Sequence, residues 1–181
     1  MMTPEFSRPV LVDQLPAKTS RRAIEAEPAE RAAVARRLDL VELTSLVAMV
    51  ELKPLARSGF IAVNGRLTAR VVQTCGVSLL PVAAVVEEEF HLTFAPPEAM
   101  LEEAEEIELS LDAEDPPDPI EDGIIDIGEV VVEHLALALD PFPRAPGVTF
   151  EAPPEPEDEP ETKPNPFAVL ARLHPRKGGK S

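Results

Sequence analysis

Two long stretches of alternating side chains, Phe60–Gln73 and Val82–Phe94, limit this chain more than any other feature. Successive side chains of an extended strand point to opposite faces, so sustained alternation demands strands buried on one side. Ile61, Val63, Leu67, Ala69 and Val71 share one parity, while Asn64, Arg66, Thr68 and Arg70 share the other. Asn64-Gly65 is a strong hairpin signal, but parity rejects a hairpin there. It would set Val63 opposite Arg66 and Ile61 opposite Thr68, mixing apolar and polar residues on one face. One continuous strand keeps the faces clean, with Gly65 as a bulge or bend. In the second stretch Val82, Ala84, Val86, Phe90, Leu92 and Phe94 face inward; Glu87, Glu89, His91 and Thr93 face outward. The connection Thr74–Pro81 makes the two strands an antiparallel pair.

Leu46–Leu55 adds a third strand, with Leu46, Ala48, Val50 and Leu52 on one face. Phe6–Leu15 and Arg21–Ala26 are further strand candidates. Pro28 opens a helix through Leu38 with little apolar content beyond Val34 and Leu38, so it suits the surface, with Glu30, Arg31, Arg36 and Arg37 outward. Asp126 and Glu129 form an acidic capping box ahead of a helix over Ile127–Leu139. Ile127, Val131, Leu135 and Leu139 recur at steps of four, Val130 and Ala138 join them, and Val132 and Leu137 widen the apolar surface. This helix should be the most buried one, lying across the sheet until Asp140-Pro141 ends it. The expected fold is α+β: an antiparallel twisted meander or partly open barrel of about five strands, one buried helix, and a surface helix near the N-terminus.

Charge then divides the chain. Residues 1–72 carry 11 Lys/Arg against 8 Asp/Glu, residues 73–162 carry 1 against 25, and residues 163–181 carry 5 against none. Phosphate is bound by clustered Lys and Arg, so the acidic centre suits a basic partner instead. Between Glu98 and Asp122 stand 12 Asp/Glu and no Lys/Arg, with Glu102, Glu103, Glu105 and Glu106 the densest run. Pro116, Pro117 and Pro119 deny this segment the rigid scaffold a metal-dependent phosphoryl site needs. Only Ile107, Leu109 and Leu111 alternate, as a short edge strand. The expected organisation is a domain at 5–145 with an acidic loop at 95–122, a disordered acidic, proline-rich linker at 146–163, and a short apolar helix with a basic tail at 164–181. In that last part Asn165 is a good N-cap and Pro166 suits the first helical position. Phe167, Leu170 and Leu173 follow at a spacing of three. So short a helix is marginal in water alone, so it should dock, on its own domain or on a partner.

Motifs of catalysis are missing: there is no Gly-x-Ser-x-Gly, no phosphate-binding glycine loop and no His-x-x-x-His. Cys75 is the single cysteine, with Ser78 where a second thiol would complete a metal-binding pair; it reads as a buried structural thiol. His134, on the buried helix, reads as a core histidine. The sequence points to a binding protein with no catalytic, metal or cofactor site. No secretory signal and no run of roughly 18 apolar residues is visible, so the expected location is the cytoplasm, away from membranes. The alternative is direct RNA binding through Arg57, Arg66, Arg70 and the basic tail around Arg172, Arg176, Lys177 and Lys180.

Asn165-Pro166-Phe167-Ala168-Val169-Leu170-Ala171-Arg172-Leu173 resembles the C-terminal Asn-Pro-Phe-Ala-x-Leu-x-x-Leu signature of the YceD-like family of large ribosomal RNA subunit accumulation proteins. The order of other parts agrees: Cys75 in a loop between long strands, an acidic segment, then Asp126-Ile127-Gly128-Glu129 opening a Leu- and Ala-rich helix. Gln73-Thr74-Cys75 and the early Glu30-Arg31-Ala32-Ala33 helix are similar to the alphaproteobacterial branch. The resemblance covers most of the chain. It implies a non-enzymatic role in the synthesis, processing or stability of large-subunit ribosomal RNA. It also implies a frequent gene neighbourhood with a small basic zinc-ribbon protein of the large subunit. The acidic charge of 98–122 is what points to a basic large-subunit ribosomal protein or pre-ribosomal particle as the partner, with rRNA contacted indirectly. Many members carry Cys-x-x-Cys where this chain has Cys75 and Ser78, so no metal role carries over.

Overall fold

The alternating stretches are strands in the computed structural model, which describes residues 4–56, 59–104 and 116–149, with 101–104 described by backbone alone. Contacts divide the chain into two units, Met1–Val148 and Thr149–Ser181. The first unit is the one described below. The part of the expected 146–163 linker beyond residue 149, the terminal helix at 165–173 and the edge strand at 107–111 lie outside the described residues.

In chain order the elements are β1 (Pro9–Leu11), a 3-10 turn (Val12–Gln14), β2 (Ser20–Glu25), α1 (Pro28–Arg37), β3 (Glu42–Pro54), β4 (Ile61–Thr74), β5 (Pro81–Ala95), α2 (Pro97–Ala104), β6 (Asp118–Pro119), β7 (Ile124–Asp126) and α3 (Ile127–Ala138). The main sheet runs β2-β3-β4-β5-β6, and β1 pairs with β7 in a separate two-stranded sheet. All pairings are antiparallel except the short β5–β6 pair. The fold is therefore α+β around an open, mostly antiparallel sheet.

Parity places the core. Leu46, Ala48, Val50 and Leu52 of β3 and Ile61, Val63, Leu67, Ala69 and Val71 of β4 are all buried. From β5 come Val86, Phe90 and Phe94, but Ala84 is exposed, so the start of that strand stands clear of the core. Helix α3 covers this inner face through Ile127, Val130, Val131, Val132 and Leu135. Leu137, expected to widen the apolar stripe, is instead 81% exposed. Helix α1 contributes only Val34 and Ala35, as its thin apolar content predicts.

Three further expectations need correction. Gly65 is neither bulge nor bend: it pairs in register with Val50 and Phe90, and the slip in the β3–β4 ladder falls between Leu43 and Ser45. Glycine is needed because the Phe90 ring lies across it, where a Cβ would sit. That ring in turn stacks on His134, with centroids 4.3 Å apart and planes within 11°. Phe6–Leu15 is not one strand. The chain leaves β1 in a 3-10 turn, and Phe6 is fully buried ahead of it. The third correction concerns the acidic loop at 95–122, which opens with a helix, α2, started by Pro97 at a position where a missing N–H costs nothing. The short return to the sheet at β6 is parallel to β5 and leaves the sheet mostly antiparallel, as expected.

Candidate functional site

Asp126 and Glu129 are structural. The Asp126 carboxylate caps α3 by accepting from the backbone N–H groups of Gly128 (3.0 Å) and Glu129 (3.3 Å). It also accepts from the Ser7 hydroxyl (2.6 Å) and the Arg8 backbone N–H (2.7 Å), which ties the N-terminal segment to the helix start. Gly128 permits that closeness, since a Cβ there would run into the Phe6 carbonyl oxygen. Glu129 does not complete the capping box expected for it. Its carboxylate instead takes both Arg37 guanidinium N–H groups, at 2.9 and 2.6 Å.

Sequence reasoning missed the rest of this network. Arg8 forms a bidentate pair with Glu30 (2.7 and 2.8 Å), and Glu30 also accepts from the Glu27 backbone in the α1 capping box. Arg37 reaches Glu5 at 3.1 Å as well. The hydrogen bond from Arg8 holds the Glu30 carboxyl below its usual value. A backbone hydrogen bond, then Arg37, does the same for Glu5. Both groups are thus stabilising above the ordinary carboxylate range, and that contribution is lost as pH falls through their lowered values. The helix period marked Glu30 and Arg37 as outward-facing, but nothing local in the sequence pairs them with Arg8 and Glu129.

Cys75 is fully buried in the β4–β5 loop. Its sulfur accepts from the backbone N–H groups of Val77 (3.5 Å), Ser78 (3.4 Å) and Ala145 (3.3 Å). The last contact, with a Gly76 N–H to Pro143 carbonyl bond of 2.9 Å, fastens the segment after α3 onto the loop. The Ser78 side chain first, then these backbone donors, draw the thiol down to about 6 from 9.0, against the opposing effect of burial. A depressed pKa stabilises fully above the unfolded value and is lost as pH falls through the folded one. The stability gap between the wild type and Cys75→Ser should therefore widen from pH 6 to pH 9. Paired thermal melts across that range check this; a pH-independent gap would show that the folded chain does not lower the thiol. Among the described residues no group of three or more His, Cys, Asp or Glu side chains could hold a metal ion.

The sheet's outer face does not gather positive charge. Arg66 is ion-paired with Glu89 across β4 and β5, and Arg21 with Glu51 across β2 and β3. Arg70 has no ion pair among the described residues, and Arg57 lies outside them. Negative charge collects along β5 and beside it. Glu87 and Glu89 point outward. Glu88, on the inner face, lies close enough to His134 to act on its charge, as does Asp118. Burial nevertheless keeps His134 below its usual value. Burial first, then Glu129 and Asp118, raise the Glu133 carboxyl against the pull of Arg37. Glu102 and Glu103 fall on α2; Glu105, Glu106 and the group Asn165, Pro166, Phe167, Leu170 and Leu173 lie outside the described residues. No helix among the described residues is long and apolar enough to cross a membrane.

A family model described as large ribosomal RNA subunit accumulation protein YceD matches residues 63–174, from β4 through the apolar segment at 165–173. No curated protein and no solved structure matches the chain.

Proposed function

As this chain belongs to the YceD family, whose name ties it to accumulation of large-subunit ribosomal RNA, we propose that it acts in the cytoplasm by binding, without catalysis. It supports the synthesis, processing or stability of that RNA through a basic protein of the large subunit, free or in a pre-ribosomal particle. The observation behind this reading is the charge of residues 73–162, 25 acidic side chains against 1 basic. Carboxylates can stand in for phosphates and speed encounter with a cationic partner. Exposed ion pairs contribute only about 0–1 kcal/mol each, so such binding rests on many weak contacts and falls steeply with salt. Phe167, Leu170 and Leu173 supply an apolar anchor that salt does not weaken. Ribosomal RNA carries denser negative charge and takes the basic protein over by competition, so release needs no energy source.

Direct RNA binding through Arg57, Arg66, Arg70 and the tail is the weaker reading, because Arg66 is already neutralised by Glu89. The two part in an affinity pull-down from the native cell, divided into nuclease-treated and untreated halves. A basic large-subunit protein should remain after nuclease treatment. Its recovery from the untreated half alone would place RNA between bait and prey.

A further inference from the structure

Strand β5 is paired on one side along its whole length and on the other side hardly at all. The β4–β5 register runs without a slip from Thr74↔Pro81 to Ile61↔Phe94, whereas β6 pairs only with Phe94 and Ala95. The N–H and C=O of one strand residue point to the same side, and the side alternates along the chain. The Ala95 carbonyl accepts from Ile120 N–H at 2.9 Å, on the β6 side. Odd-numbered residues therefore aim their backbone groups away from β4. Ala83, Val85, Glu87, Glu89 and His91 offer an open ladder with no strand on it among the described residues.

Charge decides what can lie there. Glu87, Glu88 and Glu89 crown the edge, and Asp118 of β6 stands at its end against Phe94. Like charges set against one another disfavour pairing, which argues against β5 of a second copy. The same repulsion argues against the chain's own Glu-rich residues 105–115. Edge charges are a common guard against self-association, yet a guard of one sign leaves the edge open to the other. We propose that the outer edge of β5, from Ala83 to His91, receives an extended, lysine- or arginine-rich segment of a partner protein as an added strand. The partner's backbone completes the ladder, and its alternate side chains meet Glu87 on one face, where Glu89 is already shared with Arg66, and Glu88 on the other. This deepens the reading of a basic protein partner and rests on it.

The test titrates the full chain with a synthetic strand of alternating lysine and threonine, and with its glutamate–threonine counterpart, while following backbone hydrogen exchange. The lysine peptide alone should bind, slowing exchange at Val85, Glu87, Glu89 and His91 but not at the intervening residues already bonded to β4. Glu87→Pro removes an outward N–H that the protein's own sheet does not use, and should weaken binding roughly tenfold or more. Glu87→Lys should weaken it comparably without touching the backbone, which guards against misfolding of the proline variant. Lysine-peptide binding that protects other residues, or that both variants leave intact, overturns the edge assignment while leaving the basic-partner reading in place. If neither the peptide nor any basic large-subunit protein binds, both fall. Self-association of the free chain with protection along β5 would show that a second copy takes the edge, and would likewise overturn the proposal.

Discussion

Gly128→Ala is expected to lower the thermal midpoint by roughly 6–12 °C, for a loss of about 3 kcal/mol. The sign is the informative part. In an ordinary helix the change would stabilise, because glycine is about 1 kcal/mol less favourable than alanine. Here a methyl group would enter the space of the Phe6 carbonyl oxygen, with the Arg8 backbone nitrogen also in its way. Neither is the free end of a flexible side chain, so β1 and the start of α3 would have to separate. That separation would pull Asp126 from Ser7 and from the Arg8 backbone, and would strain the contact between Ile127 N–H and the Arg8 carbonyl at 3.2 Å. Asp126→Ala should cost a comparable amount, by removing the helix cap and the acceptor for the N-terminal segment together. Since both changes release the same segment, the double variant should lose less than the sum of the two. Full additivity, or stabilisation by Gly128→Ala, would contradict the close approach.

The second large effect lies on the sheet. Gly65→Ala is expected to cost about 2 kcal/mol, although glycine in a strand is normally the poorer residue by roughly 0.5–1 kcal/mol. The added methyl group would push the Phe90 ring off the strand and break its stacking on His134. Phe90→Ala is destabilising by itself, roughly 3–5 kcal/mol for a buried phenylalanine. Once the ring is gone, however, Gly65→Ala should become neutral or stabilising. Chemical denaturation of both single variants and the double variant measures this reversal. An unchanged cost for Gly65→Ala in the Phe90→Ala background would show that something other than the ring excludes the methyl group.

These two glycines mark the boundary of what could be read from the sequence. Parity identified β3, β4 and β5 and the inward face of β4 residue by residue, because a period of two is a property of each strand alone. It also correctly rejected a turn at Asn64-Gly65. It could not say why glycine stands there, since that depends on a ring two dozen residues away and on a helix behind the ring. The steps of four located α3 and its buried face, but Leu137 fell outside the stripe that packing selects. The cap at Asp126 was legible as a local motif. Its second task, holding Ser7 and Arg8, was not, and neither was the turning of Glu129 toward Arg37. Helix α2 was lost to the acidic composition around it, although Pro97 followed by Glu98, Ala99, Met100 and Leu101 is a fair helix opening. The short strands β1, β6 and β7 carry too few residues for any period to show.

We propose that this carboxylate-rich protein serves large-subunit RNA by holding a basic protein. The most direct test is a titration of the purified full chain against basic large-subunit ribosomal proteins and, separately, against large-subunit rRNA fragments, each at low and high salt. Binding to at least one basic protein is expected, falling steeply with salt to a residual level that Phe167→Ala with Leu170→Ala abolishes, and naked rRNA should bind weakly at both concentrations. Tight binding to naked rRNA, with no binding to any basic ribosomal protein even at low salt, would contradict it.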